Sequence, residues 1–245
     1  MSDKMAEIID IHAHILPGID DGARDVQEVK AMLYEAYHQG VRGIIATPHY
    51  HYRHYQTNSD TIKILVEKVR KIAEEISGDL KIYSGQEIFY VHGMIEKLKK
   101  KELLTLAGTR YVLVEFPVKI TYERLYQTVR KMVGEGYIPV LAHVERYGCL
   151  RKRGTVEELM ESGAYMQINY GSLAGFRDLG TRMWCRKMVL ENNIHFLGSD
   201  MHRMDYRPPE MKKGLDWLMK IQDGLMVEQL IWENPSRLLE NKFLD

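Results

Sequence analysis

The sequence predicts an α/β barrel, and three observations carry that reading. Short β-rich apolar runs alternate with stretches of helical periodicity, the pattern of parallel βα units. Histidines and acidic residues stand at the end of nearly every run, as when a barrel gathers a metal site from successive strand ends. The length of 245 residues suits such a barrel, so residues 1–245 are read as one domain.

In order, the expected strands cover residues 8–12, 41–47, 80–87, 110–116, 138–143, 164–169 and 194–198. Seven strands leave the barrel slightly short of the eight-stranded form. Residues 26–37 read as the first helix. Residues 61–76 give the clearest helical signal, with Ile62, Val66, Val69, Ala73 and Ile76 on one face at a period of 3.6 residues. Residues 122–133, 156–162 and 185–190 read similarly, and 211–239 read as two or three helices on the outside. Gly40, Gly78, Gly136 and Gly163 follow helices closely, as left-handed C-terminal caps do. An open doubly wound sheet is the competing architecture, but it would concentrate its ligands at one crevice. No internal repeat, low-complexity tract or proline-rich linker divides the chain.

Composition removes several function classes. Lys plus Arg and Asp plus Glu are both 34, with no basic stripe, which speaks against a nucleic-acid-binding protein. Cys149 and Cys185 form neither a disulfide framework nor a C-x-x-C pair, which suits a reducing compartment. Residues 1–5 lead into the first strand without the apolar core of a signal peptide, and no apolar run approaches the roughly 20 residues of a membrane span. The expectation is a soluble cytoplasmic protein.

The chemistry lies in the clusters. His12-x-His14 closes the first strand, where residues two apart face the same side and both imidazoles can meet one cation. Asp20-Asp21-Gly22 follows closely enough for a carboxylate to return to the same mouth. A plain turn explains it as well, and local physics does not separate Asp20 from Asp21. Pro48 stops the second strand and directs His49 into the mouth. His51 and His54, in the aromatic loop 50–55, read better as solvent-facing or substrate-contacting residues than as ligands. Glu87 and Glu115 end apolar strands, where an unpaired carboxylate costs several kcal/mol. An arginine could compensate them; the three histidines at the same end make a metal the stronger reading.

His143 emerges at the end of the fifth strand, with Arg146 one short turn later. Asp200 and His202 close the last strand, and Arg207 ends its loop. Two arginines beside metal ligands suggest a two-pronged grip on an oxyanion such as phosphate, although surface salt bridges would also account for them. A cysteine phosphatase would need an arginine six residues after its nucleophile, but those positions hold Thr155 and Glu191. No glycine-rich phosphate loop follows a strand. His38, His92 and His195 default to structural roles, with His195 inside its strand.

The ordered set H-x-H, D-D-G, T-P-H, E, E, H-x-E-R-Y and S-D-x-H, from His12 to Arg207, resembles the polymerase and histidinol phosphatase (PHP) superfamily. That resemblance implies a distorted seven-stranded, TIM-like (β/α)7 barrel holding three divalent metals. The D-I-H-x-H-I-L-P-G-I-D-D-G opening, the H-x-E-R-Y segment and the S-D-M-H…R-P-P close are most similar to bacterial manganese-dependent tyrosine-protein phosphatases of capsule and exopolysaccharide operons. By that resemblance His12, His14, Glu87 and Asp200 hold the first metal. Glu87 bridges to a second, completed by Glu115 and His143. Asp21, favoured over Asp20, joins His49 and His202 at the third, while Arg146 and Arg207 grip the phosphate. Val144 departs from the proline usual in the family, and the loop 50–55 is unusually rich in His and Tyr.

The implied reaction is hydrolysis of phosphotyrosine by a metal-activated hydroxide, without a phosphoenzyme. The tyrosine leaving group, with a pKa of about 10, needs little help from an acid. Oxygen and nitrogen ligands suit Mn2+, with Zn2+ or iron as competitors. The implied partner is a bacterial tyrosine kinase that controls polysaccharide synthesis. The nearest rival is a small-molecule phosphatase of the histidinol-phosphate type. An amidohydrolase-type metallohydrolase would share the H-x-H opening but leaves T-P-H and D-D-G unexplained. A non-catalytic metal-stabilised binding module would not need the two arginines.

Overall fold

A computed structural model describes residues 6–175, 178–221 and 224–244. Residues 1–5, read above as leading straight into the first strand, lie outside the described residues.

The strands are β1 (Ile8–Ala13), β2 (Val41–Ala46), β3 (His49–Tyr50), β4 (Lys81–Ser84), β5 (Glu87–Phe89), β6 (Tyr111–Glu115), β7 (Ile138–Leu141), β8 (Tyr165–Asn169) and β9 (Phe196–Gly198). All ladders are parallel, in one sheet ordered β1-β2-β4 and another ordered β3-β5-β6-β7-β8-β9. Two links join them. Gly85 N donates to Ala46 O at 2.9 Å, and Glu87 N to Pro48 O at 3.1 Å, where β2 gives way to β3 and β4 to β5. At the other margin Asp200 N donates to His12 O at 2.9 Å and His14 N to Met201 O at 2.9 Å, tying β1 to the end of β9. The result is a mixed α/β fold around a curled parallel sheet, compatible with a TIM-like architecture.

Two apolar clusters follow from that curl. Ile11, Ile45, Leu113, Val140 and Phe196, from five strands, meet on the concave side, closed below by Leu106 and Leu238. The larger cluster packs the convex side against the helices.

The helices are α1 (Val26–His38), α2 (Ser59–Ile76), α3 (Met94–Lys99), α4 (Tyr122–Gly134), α5 (Thr155–Glu161), α6 (Tyr170–Ala174), α7 (Leu179–Leu190), α8 (Lys212–Ile221), α9 (Gly224–Glu228) and α10 (Asn234–Leu239). As the periodicity predicts, α2 buries Ile62, Val66, Val69 and Ala73. Side-chain caps start the long helices: Asp25 accepts from Glu28 N, Asn58 from Thr61 N and Asp178 from Thr181 N. No helix among the described residues is long and apolar enough to cross a membrane.

Several expectations are corrected. The strand expected over 80–87 is broken, because Gly85 and Gln86 leave the ladder between β4 and β5. Ala142 and His143 lie beyond β7, His143 turning into the left-handed region with φ 34°. His195 precedes β9 rather than lying within it, and its Nδ1 accepts from Met166 N at 3.1 Å. The helix expected over 185–190 begins earlier, at Leu179, where Asp178 caps it. Gly40, Gly136 and Gly163 are left-handed as expected; Gly78 is not, since Ser77 ends α2 in an extended conformation. Helices α3 and α6 and strand β3 are too short to leave a periodic signal.

Candidate metal centre

The nine side chains marked as ligands come from β1, β3, β5 and β6 and from the segments that follow β1, β7 and β9; eight of them form one mostly buried cluster, and Asp21 stands beside it. The path of β1 is the first reason. Its register against β2 shifts between Asp10 and Ala13, a bulge-like irregularity just where the imidazoles lie. His12 Nε2 and His14 Nε2 both face Glu87 Oε2, at 3.2 and 3.3 Å, and they lie 3.3 Å from each other. Both are fully buried.

The D-D-G turn sorts its two carboxylates. The Asp20 side chain is buried; its Oδ2 lies 2.9 Å from His14 Nδ1 and accepts from His49 N at 3.0 Å. Asp21 Oδ1 instead lies 3.5 Å from His49 Nε2 and 3.7 Å from His202 Nε2. Asp20 therefore orients His14, and Asp21 joins the other two imidazoles. Gly22 has to be glycine, since a Cβ there would lie 2.2 Å from His14 O.

Glu87 is the hub. Its Oε2 is 2.9 Å from His49 Nδ1 in addition to the His12 and His14 contacts, and its Oε1 is 2.8 Å from His143 Nε2. Glu115 Oε1 lies 3.5 Å from the same His143 nitrogen and 3.5 Å from Arg146 Nη1. Asp200 turns one oxygen each way. Oδ1 is 3.6 Å from His12, His14 and His202 nitrogens, while Oδ2 receives Arg146 Nη2 at 2.7 Å, Arg207 Nη1 at 2.8 Å and Asn169 Nδ2 at 2.9 Å.

The donor set fits divalent cations on several independent grounds. Four groups of three, His14–His49–His202, His12–His14–Asp200, His12–Glu87–His143 and His49–Glu87–Glu115, each place their ligand atoms within 4.8 Å of one another. Glu87 Oε2, buried among three imidazole nitrogens, makes no well-aligned hydrogen bond; neither do Asp21 Oδ1 and His202 Nε2. Imidazole with carboxylate is also the usual ligand chemistry of Zn2+, Mn2+ and iron. His51 and His54 join none of these groups among the described residues; His51 packs 4.6 Å from Phe89 instead.

Without a cation the carboxylates draw protons onto the site. Burial opposes charge on His12, but Glu87 and Asp200 raise its pKa to about 9. Burial likewise opposes charge on His49, and Glu87 lifts it to about 10. Burial and the neighbouring Glu87 push Glu115 up to about 7. His143 goes the other way, to about 4, because burial and Arg146 both disfavour its charge. Three of the seven left-handed non-glycine residues described, His143, Asp200 and Arg207, belong to this centre. Strain that clusters in this way marks a functional site.

Gln167 and Asn169 support the site and escape the motifs, whereas Tyr147 closes the H-x-E-R-Y segment. Gln167 Oε1 accepts from His143 N at 2.8 Å and lies 3.2 Å from His12 Nδ1. Asn169 holds Asp200 and also receives a hydrogen bond from Gln167 Nε2 at 2.9 Å. Tyr147 OH accepts from Phe116 N at 2.9 Å, fixing the chain just after Glu115. The one signal for the first two is a pair of polar residues, spaced by two, inside an apolar strand.

A cavity of about 540 Å³ opens beside the centre, lined by Arg146, Asn169, Ser172, Tyr206 and Arg207. Its two guanidinium groups and their position beside the carboxylates suit a dianionic group delivered to the cations.

Comparison with known proteins agrees with this geometry. Residues 8–240 match the family model described as capsular polysaccharide synthesis, CpsB/CapC. The chain is 35% identical over 243 residues to the tyrosine-protein phosphatase CpsB of Streptococcus pneumoniae, covering 97% of this chain and 100% of that one. It is 36% identical over 239 residues to the tyrosine-protein phosphatase YwqE of Bacillus subtilis strain 168, covering 96% and 92%. A crystal structure from work on YwqE and CpsB as metal-dependent tyrosine phosphatases superposes with a TM-score of 0.89 at 34% identity, covering 97% and 96%.

Proposed function

The chain belongs to the CpsB/CapC family of capsular polysaccharide synthesis, and on that premise we propose that it is a metal-dependent protein-tyrosine phosphatase. The convergence of five imidazoles with Glu87, Glu115 and Asp200, joined by Asp21 beside His49 and His202 and by two arginines at the edge, carries the reading. Relatives named tyrosine-protein phosphatases, matched along nearly their whole length, support it. A phosphotyrosyl protein is the substrate, and a bacterial tyrosine kinase acting in capsule synthesis is the expected partner. The absence of a membrane-spanning helix among the described residues is compatible with action in the cytoplasm.

We assign three divalent cations, Mn2+ first, with Zn2+ and iron as competitors. His12, His14, Glu87 and Asp200 would hold one, Glu87 with Glu115 and His143 a second, and Asp21, His49 and His202 the third. When bound they supply an activated water at neutral pH and positive charge against the phosphoryl oxygens. The chain's own residues do the rest. Asp20 and Gln167 fix the rings of His14 and His12. Arg146 and Arg207 orient the phosphoryl group and take up charge on its outer oxygens. The fold is read as one domain of PHP type with seven strand positions, counting β2 with β3 and β4 with β5 as interrupted strands; the backbone links across the breaks support that count.

The test is hydrolysis across a metal series of a phosphotyrosyl peptide, a phosphoseryl peptide and histidinol phosphate at equal enzyme, with elemental analysis. Metal-dependent turnover that favours phosphotyrosine is expected. Preference for histidinol phosphate would move the protein to the small-molecule reading, and a single cation remote from Glu87 would sink the three-metal assignment.

A further inference from the structure

The phosphatase reading leaves open where the polypeptide around the phosphotyrosine lies, and the inference here rests on that reading. A cavity of about 460 Å³ is lined by Tyr52, Phe89, Tyr90, Pro117, Lys119 and Arg124. A second, of about 240 Å³, shares Tyr90 and Arg124 with it and continues along α4 to Lys131. Together they form one groove.

That groove lies beside the metal centre. Tyr52 stands three residues after His49, Phe89 two after Glu87, and Pro117 two after Glu115. Phe89 pairs in register with Glu115, and Tyr90 N donates to Glu115 O at 2.7 Å.

Its walls combine held aromatic surface with positive charge that is largely without ion-pair partners. Phe89 is packed 4.6 Å from His51, and Tyr90 stacks on Phe116 at 5.3 Å, so both rings are fixed by neighbours. Lys119, Arg124 and Lys131 line the two cavities and are exposed, and among the described residues none of them forms an ion pair within 4 Å, although Lys131 is near enough to Glu135 to lower its pKa. Arg124 lies 5.8 Å from the Tyr90 ring and Arg53 5.2 Å from the Tyr52 ring. Lys97 and Lys99 on α3, by contrast, are paired with Glu102 and Glu135. The one carboxylate of the groove is Glu96, in the second cavity, and it lies 3.6 Å from Lys99.

Aromatic faces stack flat side chains, and unpaired cations attract acidic ones. We propose that this groove docks the segment of the substrate protein next to its phosphotyrosine and selects segments rich in acidic and aromatic residues.

The test uses the metal-loaded enzyme and the charge-reversed variant K119E/R124E, with K131E as a second, separate variant. Substrates are para-nitrophenyl phosphate and phosphotyrosyl peptides with acidic or lysine flanks. Reversal is expected to raise KM for the acidic peptide by roughly tenfold. It should lower KM for the lysine-flanked peptide and leave the aryl phosphate unchanged. Equal loss on all three substrates, or no change in KM for the acidic peptide, overturns the proposal. Fluorescence anisotropy of a labelled acidic tyrosine peptide without phosphate gives a readout independent of turnover. Binding that weakens in K119E/R124E supports the groove even if no phosphate ester is hydrolysed, an outcome that would remove the phosphatase reading instead. Hydrolysis of every substrate without discrimination by flank removes the groove and leaves the phosphatase.

Discussion

Arg146 and Arg207 aim at the same atom: their guanidinium nitrogens lie 2.7 and 2.8 Å from Asp200 Oδ2. The other carboxylate oxygen faces His12, His14 and His202. Asp200 thus joins the imidazole cluster to the two arginines, and each arginine keeps further N–H groups free of Asp200; Arg146 Nε is buried without a partner.

Replacing either arginine by Ala is expected to lower turnover by roughly one and a half to three decades, equal to about 2–4 kcal/mol in the barrier. Metal content should hold, because Asp200 keeps the other arginine and Asn169. Lys should rescue in part, since a point charge cannot reproduce a fork of two N–H donors. Turnover, metal content and melting temperature measured on each variant decide it. Inactivity explained by metal loss or unfolding would reduce both arginines to anchors of Asp200.

Activity should vanish in excess chelator, return with added metal and survive thiol alkylation. Cys185 is buried, and burial raises the Cys149 thiol, so Cys149 is not poised as a thiolate at neutral pH and Cys185 is out of reach of a substrate. Persistent turnover in chelator, or an inactive Cys149→Ser variant of normal metal content, would contradict the metal-based reading.

The side chains that cluster were legible in the sequence because strand ends are short-range features: an apolar run, then a histidine or carboxylate. Asp20 and Asp21 show where that stops. Both lie in one turn, and only the packing of the turn against His14 and His49 separates the orienting residue from the one among the imidazoles. Gln167 was invisible for a similar reason, since its partners His12 and His143 lie 155 and 24 residues away. The break between β4 and β5 was hidden because 80–87 has strand composition throughout, while the interruption comes from Gly85, where a Cβ would lie 2.8 Å from Ile45.

Metal binding should release protons at neutral pH. His12, raised to about 9, and His49, raised to about 10, carry protons at pH 7 in the metal-free chain, whereas His143, lowered to about 4, does not. A cation must displace the first two, so affinity climbs as pH rises toward those values and falls as pH drops. Calorimetric titration with Mn2+ in buffers of different ionisation enthalpy should show at least two protons released per chain, with Glu115, raised to about 7, adding a further fraction. No buffer dependence at pH 7 would mean the imidazoles are already neutral.

Gln167 is expected to act on the metals without touching them. Its Oε1 accepts from His143 N, so the same oxygen, facing His12 Nδ1 at 3.2 Å, requires that nitrogen to carry the hydrogen. That tautomer turns the His12 Nε2 lone pair toward Glu87 and Asp200, where a cation needs it. Gln167→Leu keeps the volume but leaves two buried donors without an acceptor and frees the ring. Metal affinity should fall by roughly 10- to 100-fold, with a loss of about 1–3 kcal/mol in stability. Gln167→Glu retains the acceptor and should restore affinity in part. If the effect runs through His12, added Mn2+ recovers turnover in Gln167→Leu, because the residue positions a ligand and takes no part in the phosphoryl chemistry. Turnover that stays low at saturating Mn2+, with the fold intact, would instead place Gln167 in the chemical step.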